Sequence, residues 1–421
     1  MHYTLKRPNV WIYAFGLLLL IGLFCLLLIV NLRLAGASQL GTDFFGGWQS
    51  ARLLLQQGVS PYSSEAAQQI ARAATDIGLN AETVGFNAPL YALILYLPLA
   101  IVKDFKLAHA IGMVLAELSL GLAVYLGLRI TTWRPKAWVT GLWLGFGLLW
   151  FPSALAVLGG DVVPAVLLMV TLALWAIRTR RDELAGVALG LATMRPHVAG
   201  VVIGVIFIWA VLNRRGLIVM WFFITLALLS LFFALFLPSW PLQYLAMIIN
   251  RQRPLIGQTT GEALGVFFPG VGTRLGQAVS GLAVALTLFE LILNHRSGMR
   301  AFLWLAALSL TLTAWTGVRF QPQDMILFLP ALILAGSLWV ERWRRLGLWV
   351  TLIVMTGLGI GSWGLVSWRL MESLHEQNMA LLMLLIPLVV VGLLYWVRWW
   401  AIRPPSVWLE LIQREDIESL D

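Results

Sequence analysis

The chain is short of charge and of cysteine, and each shortage excludes something. Charged residues fill 12% of its 421 positions and hydrophobic residues 60%. Soluble domains carry roughly 25% charged residues, so a soluble globular fold is excluded and a polytopic membrane protein is indicated. A single cysteine, Cys25, lies inside the first long apolar run. An internal disulfide, a cysteine metal site and a redox inference therefore have no basis. No internal repeat is evident, although secondary transporters commonly show one, and no stretch has the composition of a soluble domain. The net charge of +9 does not point to nucleic acid, because the Lys and Arg fall in short clusters between apolar runs, as orientation signals do.

What is present is a series of apolar runs whose flanking charges set their direction. Lys6 and Arg7 place the N-terminus inside. The run from Val10 to Val30 is uninterrupted, and Ala35-Gly36-Ala37 after it loosely imitates a signal-peptidase site. A cleaved signal has an apolar region of about 7 to 15 residues, whereas this run reaches the roughly 20 needed to span. It is expected to stay as an uncleaved first helix over 10–33. Residues 34–106 then form an extracytoplasmic loop with interfacial helices. Within that loop, Asn87 to Val102 is short and holds two prolines. If it spanned, Arg134, Lys136, Arg178, Arg180 and Arg181 would all fall outside, so it is placed at the outer interface.

Residues 107–130 run inward, 137–158 outward and 162–178 inward. Leu184 to Leu212 must leave the inner side and return to it, which calls for two short helices meeting at Met194-Arg195-Pro196-His197. Spans at 218–237, 271–293, 300–316, 325–341, 347–367 and 379–400 follow, with an outer loop at 238–270 and an outer turn at 317–324. The expected fold is an all-α polytopic integral membrane protein, a single transmembrane domain over 1–421 with about 12 helices. It is expected in a cytoplasmic (inner) membrane, with both termini cytoplasmic and 401–421 as a cytoplasmic tail.

That topology sorts the remaining charges. Asp43, Asp161, Arg195, His197, Arg251, Arg253, Arg319 and Asp324 all fall at or just below the outer face, from separate parts of the chain. Ionisable groups in hydrocarbon cost several kcal/mol unless paired or hydrated, so their convergence suggests a water-filled outer cavity. A carboxylate for proton transfer and arginines for phosphate suit an anionic lipid-linked substrate. Gln321 and Gln323 can hydrogen-bond hydroxyls. Gly41 to Tyr62 is the most patterned stretch: Asp43, then apolar side chains at helical spacing from Trp48 to Leu55, Gly58 as a stop and Pro61-Tyr62 beyond.

Plainer roles compete at each position. Asp43 could cap a helix over 45–56, and Asp161 one over 162–178. Arg195 and His197 could hydrate the tip of the broken pair, Arg251 and Arg253 could anchor headgroups, and Arg319 could pair with Asp324 to close a turn. Glu290 sits near an inner end, where it could reach water.

These residues resemble the GT-C superfamily of polytopic glycosyltransferases, and within it the family 87 enzymes that use polyprenyl-phosphate-mannose. The resemblance spans roughly Val10 to Pro330. It rests on Asp43 after the first span, followed by Trp48, Leu53 to Leu55, Gly58 and Pro61-Tyr62; on Phe86 to Pro89; on Gly159-Gly160-Asp161; and on Gly190-Leu191-Ala192 leading to Arg195-Pro196. It implies that Asp43 is the catalytic base, taking a proton from the acceptor hydroxyl as the sugar leaves polyprenyl phosphate with inversion. Trp48, Tyr62, Asn87, Asp161, Arg195, His197, Arg251, Arg253, Arg319, Gln321, Gln323 and Asp324 are then the expected substrate contacts. A lipid or glycan acceptor, no cofactor and no metal are expected. The chain departs from the family pattern at Ala88-Pro89, at Gly160-Asp161 and at Arg195-Pro196, where the family has Pro-Pro, Gly-Gln and Lys-Pro. A transporter or flippase of a lipid-linked sugar is the alternative; a non-catalytic scaffold has no evident need for the outer cluster.

Overall fold

The computed structural model describes residues 10–37, 41–81, 84–131, 133–250, 257–294, 298–367 and 375–402. Among them the fold is all helical, with no strand and one isolated antiparallel bridge, Gln258 to Phe320. The chain divides into two compact units, the first made of 1–86, 93–116 and 157–160 and the second of 87–92, 117–156 and 161–421.

The first unit contains α1 (Val10–Ala37), α2 (Thr42–Gln57), α3 (Ser64–Asp76) and the first half of α4 (Phe105–Ile130). The helix read from the Trp48 to Leu55 periodicity is α2. It ends where expected, at Gly58 in the left-handed conformation (φ 65°), whose N–H closes on the carbonyls of Leu53 and Leu54. Its start differs from the expectation. Gly41 takes the cap position and Asp43 lies in the first turn, in a helix that begins at Thr42. After α2, Ser63 caps α3 by accepting from the Ala66 N–H at 3.0 Å. The stretch from Leu90 to Ile101 holds two short 3₁₀ turns, Leu90–Leu95 and Leu99–Ile101, and no helix of spanning length.

In the second unit α5 (Ala137–Leu149) and α6 (Phe151–Gly159) replace the straight span expected over 137–158, with a bend of 58° between them. Pro152 is the physical reason: it lacks an N–H and its ring clashes with the preceding turn, so one helix ends and another begins. Next come α7 (Val163–Arg178), α8 (Asp182–Ala192) and α9 (Pro196–Leu212), then α10 (Gly216–Ala234). The broken pair expected between 184 and 212 is present as α8 and α9, separated at Thr193–Arg195. Gly186 and Gly190 let α8 lie directly against α10; a Cβ at Gly186 would stand 2.5 Å from the Ile218 carbonyl oxygen, and one at Gly190 2.9 Å from the Thr225 side chain. Small residues four apart are a common device for close helix approach in membranes. At the far end of this hairpin, Arg215 pairs with Asp182 and also donates to the Ile177 carbonyl at 2.9 Å.

The outer loop expected at 238–270 is partly helical, as α11 (Trp240–Ile249) and α12 (Thr260–Phe267). The start of α12 is a capping box in which the Thr259 side chain and Glu262 serve each other's backbone N–H groups. The remaining helices are α13 (Gly272–Asn294), α14 (Met299–Leu312), α15 (Leu329–Trp343), α16 (Arg345–Ser367) and α17 (His375–Ile402). Among the described residues, six helices are long and apolar enough to cross a membrane, seven with the bent α5–α6 pair, and shorter apolar helices accompany them. The chain is thus a multi-pass membrane protein. Glu290 of α13 corrects a further expectation. It is 2% exposed and does not reach water; Arg398 of α17 grips both carboxylate oxygens at 2.8 and 2.9 Å, with Tyr395 and Asn294 donating at 3.1 and 2.9 Å. A buried carboxylate in an apolar span is tolerated when it is paired and hydrogen-bonded in this way.

Candidate functional site

In the first unit the residue to place is Asp43, half-buried in the first turn of α2. Two glycines set how close that turn can come to its neighbours. A Cβ on Gly46 would overlap the Gly85 carbonyl oxygen, and one on Gly47 would run into the Tyr96 ring. The buried face of α2 continues with Phe44, Phe45 and Trp48. Trp48 donates from Nε1 to the Leu99 carbonyl at 3.0 Å and carries the Arg52 guanidinium 4.6 Å above its ring. Tyr62 is also buried, with its ring 6.1 Å from that of Phe86.

Replacing Gly46 with Ala tests this packing. Because the obstructing atom is backbone, the strain has no flexible side chain to relax into. Gly46→Ala is expected to cost about 1–3 kcal/mol, the usual range for overpacking, read as a lowered thermal midpoint of the purified protein.

In the second unit three turns meet through their polar side chains. Asp161 lies between α6 and α7, Arg195 between α8 and α9, and Gln321 to Asp324 at the start of the 3₁₀ turn Pro322–Phe328 that leads into α15. One guanidinium nitrogen of Arg195 pairs with Asp161 Oδ1. The other donates to Gln321 Oε1 at 3.0 Å and stands 3.4 Å from Asp324 Oδ1. Gln323 donates to Asp161 Oδ2 at 3.2 Å and also to Gln321, and Asp324 Oδ2 accepts the Gln321 N–H at 2.7 Å. The exposures are low: the side chains of Arg195, Asp161 and Asp324 are 14%, 3% and 0% exposed. Burial pushes the Asp161 carboxyl up, but the charge and hydrogen bond of Arg195, with help from the Val163 N–H and Gln323, outweigh it and hold the group below its ordinary value.

Asp161 accepts the Val163 N–H at 3.1 Å at the head of α7, where Val162 holds the cap position, while pairing with Arg195. The ends of the α8–α9 break are fixed as well. Thr193 receives the Tyr91 hydroxyl at 2.9 Å on its own hydroxyl and 3.2 Å on its carbonyl.

Residues 86–268 match the family model of glycosyltransferase family 87. Over that region the chain is similar to the glycosyltransferases of this family. Comparison with curated proteins and with solved structures returns no match. The family 87 region covers under half of the 421 residues. It takes in Asn87, Asp161, Arg195 and His197, whereas Asp43 precedes it and Arg319 to Asp324 follow it.

Of the expected contacts, the structure brings Asp161, Arg195, Gln321, Gln323 and Asp324 together. Arg319 goes elsewhere: it does not pair with Asp324 but with Glu262 at 2.5 Å, and it donates to the Gly257 carbonyl at 2.6 Å. The reason is the Gln258–Phe320 bridge, which lays the two loops side by side and leaves Asp324 to face Arg195. His197 and Asn87 are exposed, His197 in the first turn of α9. Arg251 and Arg253 lie outside the described residues. Among the described residues no group of three or more His, Cys, Asp or Glu is placed to hold a metal ion.

Sequence reasoning missed His109 of α4, which is 1% exposed in the first unit. A lone histidine in an apolar helix carries no pattern by which to single it out.

Proposed function

We propose that the protein transfers a sugar, mannose in the first instance, from a polyprenyl-phosphate donor to a lipid or glycan acceptor at the extracytoplasmic membrane face, with inversion. The family 87 match carries this reading, and the resemblance of the Asp43 segment extends it to a catalytic residue. Asp43 takes the proton from the acceptor hydroxyl. As the acceptor oxygen bonds to the anomeric carbon, the bond from that carbon to the phosphate oxygen breaks, and polyprenyl phosphate leaves with the electron pair. Phosphate is a good leaving group, so one positioned base and cationic stabilisation of the departing charge are sufficient.

Asp161, Arg195, Gln321, Gln323 and Asp324 are proposed as a polar frame, already assembled, that contacts donor or acceptor. Trp48, Tyr62, Asn87, His197, Arg251, Arg253 and Arg319 are proposed as further contacts. No cofactor and no metal are invoked, since the chemistry is acid–base and electrostatic.

The test is transfer by the purified full-length protein in detergent, with a panel of radiolabelled polyprenyl-phosphate sugars and EDTA present in half the reactions. A new glycosidic bond from one donor, undiminished by EDTA, is the expected result. Loss of transfer with EDTA would replace the metal-free mechanism. Tight donor binding without any transfer would favour a carrier of lipid-linked sugars.

A further inference from the structure

The ring of His109 touches three segments of the first unit. It stacks on Phe105, four residues before it, with centroids 5.5 Å apart and planes 13° off parallel, and it lies 5.3 Å from the ring of Phe44. Two glycines make room for it: a Cβ on Gly41 would stand 3.1 Å from its Cε1, and one on Gly160 3.1 Å from its Cδ2. The ring also hydrogen-bonds the backbone of Leu158, while Nε2 is buried without a hydrogen-bond partner. Nδ1–H is then the donor and Nε2 the lone-pair nitrogen of a neutral imidazole.

A buried acceptor without a partner is unfavourable, and a phenyl ring would avoid it. The imidazole's gain over a phenyl ring is the bond to Leu158, which fixes the angle of the ring. That angle matters because of what rests on it. Gly41 caps α2 and Phe44 sits in its first turn, so the residues on either side of Thr42–Asp43 both bear on the same ring. Phe44 also packs against α4 one turn further on, since a Cβ on Gly112 would meet its ring at 2.5 Å.

We propose that His109 is a positioning residue for the transferase reaction: anchored to Leu158, its ring sets the rotation of the first turn of α2 and thereby the place of the Asp43 carboxylate. This rests on Asp43 as the base. A reacting group displaced by about 1 Å loses about a hundredfold in rate, so a ring that controls this turn acts on turnover and leaves ground-state binding alone.

The experiment measures kcat and acceptor KM of purified full-length wild type, His109→Ala, His109→Phe, His109→Asn, Phe44→Leu and the His109→Ala/Phe44→Leu pair, each well below its own melting temperature. Asp43→Asn is run beside them. His109→Ala and His109→Phe are expected to lower kcat by roughly 10- to 100-fold, with KM within about twofold. Asn, whose amide nitrogen takes the place of Nδ1 and can still donate to the Leu158 carbonyl, is expected to recover most of the loss. The pair should lose little more than the worse single variant, because both act through one contact. If Ala does not fold, Phe carries the comparison. Wild-type kcat in Ala and Phe, no recovery with Asn, or fully additive losses would each overturn the proposal. An active Asp43→Asn would instead remove the base reading, whatever the His109 variants do.

Discussion

Asp43→Asn is expected to abolish most transfer, by about 10²- to 10⁴-fold in kcat, the range supplied by a positioned general base, while leaving the protein folded. Asn has nearly the same volume and is also tolerated at helix starts, so packing at Thr42–Phe45 is preserved. The interaction of a negative charge with the N-terminus of α2, worth about 0.3–1 kcal/mol, is lost along with the base. In a chain of this size that corresponds to about 1 °C in melting temperature. The alternative, in which Asp43 merely starts a helix, predicts a silent substitution. The structure already weakens it, because Gly41 holds the cap position and Asp43 lies inside the first turn. Asp43→Glu sharpens the comparison. It keeps the charge and the helix dipole interaction but moves the carboxylate by about one methylene, so a base role predicts a loss near a hundredfold and a capping or charge role predicts none. The measurement is initial rate of sugar transfer at saturating donor, with melting temperatures for all three proteins.

The elements legible in the sequence were those set by local chemistry. The α2 helix followed from apolar spacing and the Gly58 stop, and the α8–α9 break followed from a stretch too short for two full crossings with Arg195-Pro196 at its middle. The bend at α5–α6 was equally local, written in Pro152, and the start of α12 in Thr259 and Glu262; both signals lay in the sequence unread. The pairings were not local. Arg195 had Asp43, Asp161 and Asp324 as candidate partners on the same face, and nothing in spacing ranks residues 34 or 129 positions away. The choice is made by the Gln258–Phe320 bridge, which draws Arg319 toward Glu262 and frees Asp324 for Arg195. Glu290 is the same case, since its partner Arg398 lies 108 residues on. His109 was illegible for another reason: its role depends on what surrounds it, and α4 gives no hint of Gly41 or Gly160.

Arg195 carries the other large expected effect. Among the described residues it is the cation paired with two buried carboxylates, so its removal strips both of that counter-charge. Breaking a buried pair from one side typically costs about 3–5 kcal/mol, and Arg195→Met is expected at the upper end, with a fall in melting temperature of about 5 °C. The penalty is one of uncompensated charge, which gives it a signature. Adding Asp161→Asn and Asp324→Asn to Arg195→Met should return most of the lost stability, because an amide can be buried with ordinary hydrogen bonds at far lower cost than a carboxylate. Arg195→Lys should fall between, since an ammonium keeps the charge but cannot hold Asp161 and Gln321 with one planar fork. Transfer activity separates frame from ligand. If the network only holds the three turns in place, the stabilised triple variant regains activity along with its melting temperature. If the guanidinium itself meets the departing phosphate, the triple variant is folded and inactive, and Arg195→Lys alone retains a measurable rate.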